Sequence, residues 1–180
     1  MKSNFLIGIM VGLVFMADIG NHYLPELYNV HQEQSIGDMI AEDKLQVECL
    51  ADNVFYEAAN QSREGMEAVA LVTMNRVYHK HFPKKVCDVV FQKNKYRCQF
   101  SWVCQKNLQD KDNRYIIAQE VARKVFTKYI ELEDITEGAL YYHANYVNPK
   151  WKLHKTVVIG SHIFYKESSN DDAKTKSTAR

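Results

Sequence analysis

The sequence predicts an α+β domain, mainly helical with a small antiparallel β unit. Apolar residues recur at helical spacing in three stretches, and after Gly138 the period changes to short runs rich in β-branched and aromatic residues. A chain of 180 residues suits one compact core and is too short for two ordinary domains.

In the first stretch Val47, Leu50, Ala51, Val54 and Ala58 form the stripe, Asp43 is a suitable N-cap, and Glu57 projects along the apolar side. A second helix carries Met66, Val69, Ala70, Thr73 and Val77 on one face; Ser62 caps it, and it ends before Pro83. The segment Val86 to Phe91 is too short to classify. Gln92 to Asp110 lacks a period but holds Phe100, Trp102 and two cysteines, which reads as a stapled functional loop. A third helix is expected over 113–130, from the stripe Ile116, Ile117, Val121, Val125 and Tyr129 with Asp112 as cap. Ala139 to Tyr142 suits one strand and Thr156 to Tyr165 another, joined through Pro149 and Trp151, so a two-stranded unit is expected.

Around this domain, expected over 43–166, the ends read differently. Lys2 precedes an apolar run from Phe5 to Ala17, so residues 1–20 are expected to be a signal peptide or signal anchor. Residues 21–42 read as a linker, and the polar stretch 167–180 as a disordered tail. An exported chain in the periplasm or cell envelope follows, with transient inner-membrane association through the N-terminal segment and no indication of more than a monomer.

Lys plus Arg (23) nearly balances Asp plus Glu (22), and the basic runs, His79 to His81 with Lys84 and Lys85, and Lys93 to Arg97, are short. A nucleic-acid partner is therefore not expected. Cys49, Cys87, Cys98 and Cys104 make an even count, which on an exported chain permits two disulfides in three connectivities; Cys98 and Cys104 could close a tight loop. C-x₂-C spacing is absent, His143, His154 and His162 have no recognised ligand spacing, and there is no H-E-x-x-H, so neither metal nor cofactor is expected.

A carboxyl on the apolar side of a helix loses hydration, which raises its pKa toward a range useful for proton donation. Glu57 is thus the candidate catalytic acid/base. Protonation of the leaving oxygen is what glycosidic cleavage requires. Pattern alone also permits a Glu at the stripe edge, paired with Arg63 or Arg76. Glu48, Asp52, Glu64, Glu67 and Asp88 lie within reach in sequence, but none is placed as tellingly as a second carboxylate. Aromatic faces for stacking and polar groups for sugar hydroxyls come from Gln99, Phe100, Ser101 and Trp102 and from Tyr141 to Asn145, notably Tyr142 and His143. In a strand, Tyr141 and His143 face one way and Tyr142 the other, so one set is expected to be packing.

The stretch from Glu48 to Lys166 resembles the SleB-type cell-wall hydrolase family, named for spore-cortex-lytic enzymes. The resemblance rests on ordered motifs: Glu48-Cys49-Leu50-Ala51, Tyr56-Glu57-Ala58, Gly65-Met66 with Ala68-Val69-Ala70, Asn75-Arg76-Val77, and Phe82-Pro83 with Val86-Cys87 and Val89-Val90. Cys98 to Trp102 follows, then Ala139, Tyr142-His143-Ala144, Val147, Pro149 and Trp151, and finally Ile159-Gly160, His162 and Phe164-Tyr165. It implies a lysozyme/transglycosylase-like fold acting on peptidoglycan glycan bonds, with Glu57 as catalytic residue and Trp151 joining the substrate-binding set. Many members read E-A-R-G-E, where this chain has Glu57-Ala58-Ala59-Asn60-Gln61; the departure favours a single-acid, lytic-transglycosylase mechanism over a muramidase pair. Envelope remodelling or phage-type lysis is the expected setting. A zinc- or Cys-dependent amidase or peptidase, and a non-catalytic wall-binding module, are the alternatives.

Overall fold

The structure is a computed structural model, and it describes residues 37–168. The expected signal segment, most of the linker and nearly all of the tail lie outside the described residues. The chain divides into two units, Met1–Asp43 and Lys44–Arg180, and the site described below belongs to the second.

Helix α1 covers residues 37–58. It is already under way six residues before Asp43, which therefore lies inside the helix and is not its cap. Residues 37–40, at its start, are exposed and carry no apolar stripe, which is why periodicity alone did not include them. From Cys49 onward the helix enters the core, where Leu50, Val54 and Phe55 are fully buried. Helix α2, Arg63–Tyr78, starts as expected: Ser62 Oγ accepts the Gly65 N–H at 3.2 Å. It is buried almost all round from Gly65 to Arg76, as befits the central helix of the fold. Each aliphatic side chain buried there contributes about 2 kcal/mol.

Helix α3 is the short Val86–Val90, followed by a 3-10 turn, Ser101–Cys104. Helix α4, Arg114–Lys128, packs Ala118, Val121, Ala122 and Val125 into the core. Asp112 Oδ1 accepts the Arg114 N–H at 2.9 Å, so Asp112 does serve the helix start although Asn113 occupies the cap position. Ile116 and Ile117, assigned to the stripe from sequence, are exposed.

The β unit has three strands rather than two: β1 Tyr141–Ala144, β2 His154–Ile159 and β3 His162–Lys166, in the order β1-β3-β2, all antiparallel. The stretch expected as one strand turns back on itself at Gly160-Ser161, with Ile159 opposite His162. Gly160 has φ +57°, the positive value that a two-residue hairpin loop demands of a glycine. Register pairs Tyr142 with Phe164 and Ala144 with His162.

Two disulfides set the loops. Cys49–Cys87 ties α1 to α3, and Cys98–Cys104 closes the loop before α4. Adjacent residues of α2 anchor the sheet: Asn75 Nδ2 donates to Ala139 O at 3.0 Å and Arg76 Nε to Leu140 O at 2.7 Å. Leu140 in turn donates to Tyr165 O, so β1 leaves α2 at a fixed point.

Candidate active site

Glu57 stands in the last turn of α1, one helical turn after Asn53. Asn53 is fully buried and holds both neighbours of that turn. Its Nδ2 donates to Thr73 Oγ1 of α2 at 3.0 Å, and its Oδ1 accepts from Trp102 Nε1 at 3.1 Å. Trp102 stacks on Tyr56 at 4.6 Å between centroids, next to the acid in sequence. Burial with every polar atom satisfied fixes this part of the helix in one arrangement.

From the other side Tyr142 of β1 donates its hydroxyl proton to Glu57 Oε2 at 3.2 Å. Loss of hydration raises the Glu57 carboxyl above its ordinary 4.5; the Tyr142 hydrogen bond and the Arg76 charge oppose this without cancelling it. Burial, reinforced by the Glu57 charge, holds the Tyr142 phenol well above 10, so it remains the donor.

Two clefts meet at this pair. One, of about 650 Å³, is walled by Tyr56, Asn60, Gln61, Trp102, Tyr146 and the 105–109 segment among others. The second, of about 450 Å³, is walled by Arg76, Gln99, Phe100, Tyr141, Pro149 and Trp151. Glu57, Ser101, Tyr142 and His143 line both, which places the acid at their junction. Glu57 is the sole carboxylate among the residues that line either cleft.

Glu57, Gln99, Phe100, Ser101, Trp102, Tyr142, His143 and Trp151 all lie on these walls, in unlike roles, whereas Asn145 does not. Phe100 and Trp102 are only 4% and 6% exposed, so they present an edge and otherwise serve as packing. Trp151 is 42% exposed and offers its ring edge-on to Tyr141, His143 and Tyr165. His143 lies over the Tyr165 ring at 5.2 Å, and its Nε2 hydrogen-bonds the Tyr165 hydroxyl at 3.0 Å.

From sequence Arg76 reads as an ion-pair partner and as part of the Asn75-Arg76-Val77 motif, with no place in the site. It is 2% exposed, its guanidinium sits among the rings of Phe82, Phe100 and Tyr141, and the Gln99 carboxamide lies 3.2 Å from both terminal nitrogens, where turning its oxygen toward them satisfies both groups. Gln61, noted only as a missing Glu, accepts the Ser161 N–H at 3.0 Å and so ties the β2–β3 turn to the α1–α2 turn. The clustering of α1, α2 and β1 on one buried Arg has no local pattern that a single sequence would reveal.

A profile of the cell wall hydrolase family matches residues 60–165, more than half of the chain. The chain belongs to the cell wall hydrolase family. The matched segment begins just after Glu57, so it bears on the walls of the site and not on the acid itself. A Bacillus cereus spore cortex-lytic enzyme is 30% identical over 123 residues, which is 67% of this chain; the chain spans 44% of that relative's length. The crystal structure of the catalytic domain of the Bacillus cereus SleB protein superposes with a TM-score of 0.53 at 26% identity, over 67% of this chain and 89% of that one. The catalytic domain of the germination-specific lytic transglycosylase SleB from Bacillus anthracis gives 0.52 at 29% identity, over 67% and 93%. The lysozyme-like α+β class that the motifs implied therefore holds, as does the enzyme family. No helix among the described residues is long and apolar enough to cross a membrane.

Proposed function

We propose that this enzyme cleaves the glycan strands of peptidoglycan as a lytic transglycosylase, with Glu57 acting first as acid and then as base. The observation that carries the reading is the solitary carboxylate at the junction of the two clefts. A glycosidase that uses water or a covalent intermediate employs a second carboxylate across the substrate. With one carboxyl, the nucleophile comes from the substrate. Protonated Glu57 gives its proton to the glycosidic oxygen as the bond from muramyl C1 to that oxygen breaks, and the leaving sugar departs as an alcohol. The resulting Glu57 carboxylate takes the proton of the muramyl 6-hydroxyl, whose oxygen closes on C1 to form the anhydro ring, and the acid is regenerated. A raised pKa suits the first half of this cycle, and the Tyr142 hydrogen bond supports the carboxylate of the second.

Other wall chemistries find less support. All four cysteines are in disulfides, which leaves no thiol nucleophile. Among the described residues the grouping of three potential metal ligands is His79, His81 and Glu167, none of which lines either cleft. Two disulfides also suit action outside the cytoplasm, after export directed by residues 1–20, with the 43–166 domain working as a single copy because one chain supplies both cleft walls. The test is release of soluble material from purified sacculi. Wild type should clear the suspension and Glu57→Gln should lose at least a hundredfold in rate; equal clearance by both would remove Glu57 from the chemistry.

A further inference from the structure

A third recess lies beyond the Arg76 cleft. It is walled by Gln92, Lys93, Asn94, Arg97, Cys98 and Gln99, and Gln99 also lines that cleft, so the two are adjacent. The loop that forms it is held rigidly. Lys93 bridges Cys98 in antiparallel fashion, Asn94 Oδ1 accepts the N–H groups of Tyr96 and Arg97 at 2.9 Å each, and the Gln99 N–H donates to Gln92 O at 2.8 Å. The Cys98–Cys104 disulfide fastens its end to the turn that carries Ser101.

Its charge is one-sided. Residues 92–99 hold Lys93, Lys95 and Arg97 and no acid, in a chain whose net charge is only +1. Lys95 lies over the Tyr96 ring at 5.5 Å and is not on the recess wall. Lys93 and Arg97 are on the wall, and neither forms an ion pair with a described carboxylate. Two cations with no ion pair to a described carboxylate, on a wall that also carries amide side chains, suit an anionic group of an extended ligand.

We propose that this recess binds the carboxylates of the peptide branch that muramyl residues carry, so that the enzyme selects peptide-bearing over bare glycan strands. The inference rests on the glycan-cleaving reading for its substrate. The lactyl ether of a muramyl unit carries a peptide that ends in carboxylates, and these complement the charges of Lys93 and Arg97. The Gln92, Asn94 and Gln99 side chains supply partners for the peptide amides.

Two measurements test this. In the first, peptide-bearing strands and strands stripped of peptide are compared as substrates. Wild type should favour the former by about tenfold in kcat/KM at low salt, the product of two exposed ion pairs. The ratio should fall toward one in the Lys93→Gln/Arg97→Gln double variant and about halfway, on a logarithmic scale, in each single variant, whereas Lys95→Gln, which removes one charge of the same loop off the wall, should keep most of it. An unchanged ratio in the double variant, or an equal fall in Lys95→Gln, overturns the proposal. In the second, Glu57→Gln protein is titrated with a soluble muramyl peptide and with its fully amidated counterpart. Affinity about tenfold higher for the carboxylated ligand, abolished by the double variant, supports the recess even where no strand is cleaved, a result that would count against the glycan-cleaving reading alone. Equal affinity for both ligands overturns the recess while leaving that reading intact.

Discussion

Tyr142 of β1 donates its hydroxyl to Glu57 of α1 across 85 residues of sequence, and this bond joins the sheet to the acid. A hydrogen bond to the charged form favours that form, so it holds the Glu57 pKa lower than burial alone would. Tyr142→Phe should therefore raise the pKa of Glu57 further. In the pH profile of kcat/KM the limb on which protonated Glu57 is lost should move to higher pH, while the rate at the optimum falls by about tenfold through loss of support for the carboxylate. A limb that moves to lower pH would contradict the assigned sign.

The raised pKa also couples stability to pH. A carboxyl whose folded pKa lies above its unfolded value contributes fully below the unfolded value, near 4.5, and loses that contribution as pH rises through the folded pKa. Glu57→Gln keeps an acceptor for Tyr142 and cannot ionise. Its melting temperature should exceed that of wild type at neutral pH, and the two should converge below about pH 4. Parallel curves over that range would show that Glu57 is not desolvated.

Arg76 is held by Leu140 O, by three aromatic rings and by Gln99, and burial pulls its guanidinium below its ordinary pKa while Tyr142, Tyr141 and Glu57 favour its charge. Arg76→Met removes the donor to Leu140 at the point where β1 leaves α2. A loss of about 3 kcal/mol in urea unfolding is expected. Arg76→Lys should recover little, because a compact ammonium cannot lie flat among three rings and also reach Leu140.

The two disulfides should separate by loop length. Cys49–Cys87 closes a loop with a sequence separation of 38, Cys98–Cys104 one of 6. Paired alanine substitutions should cost about 4 kcal/mol for the first and about 2 kcal/mol for the second by loop entropy. The second pair should nevertheless weaken activity more per unit of stability lost, because Gln99 and Ser101 on the cleft wall lie between its cysteines.

Gly160 combines positive φ with a tight neighbour: a Cβ there would lie 2.5 Å from Gln61 Oε1. Gly160→Ala should displace Gln61 from the Ser161 N–H and destabilise by about 1–2 kcal/mol in thermal unfolding.

What was legible in the sequence follows from how local each signal is. The stripes of α1 and α2, the Ser62 cap and the period change after Gly138 are decided within a few residues, and the buried parts of both helices lie where expected although α1 starts earlier. Gly160-Ser161 was a legible turn signal too, but the continuous apolar and aromatic run around it masked the hairpin. The exposed first turns of α1 have no apolar face to announce them. Ile116 and Ile117 fitted a stripe by spacing, yet the packing of α4 centres on Ala118, Val121, Ala122 and Val125 instead. Phe100 and Trp102 read as substrate residues because they sit in an aperiodic loop; Trp102 is instead held by Asn53 and Tyr56, more than 45 residues earlier, and Phe100 lies under the Arg76 guanidinium. Glu57 itself is visible as a carboxyl on an apolar stripe, whereas its being the sole carboxylate among the described residues that line either cleft is a property of walls assembled from α1, the 99–109 loop and β1.

The central claim, one carboxyl serving as acid and then base, is tested most directly by the chemistry of the new chain ends. Purified sacculi are digested by the enzyme, and the released fragments are weighed by mass spectrometry against a parallel digest with Glu57→Gln. The account predicts 1,6-anhydro muramyl ends from wild type and none from the variant. Reducing muramyl ends, free peptides, or undiminished release by Glu57→Gln would contradict it.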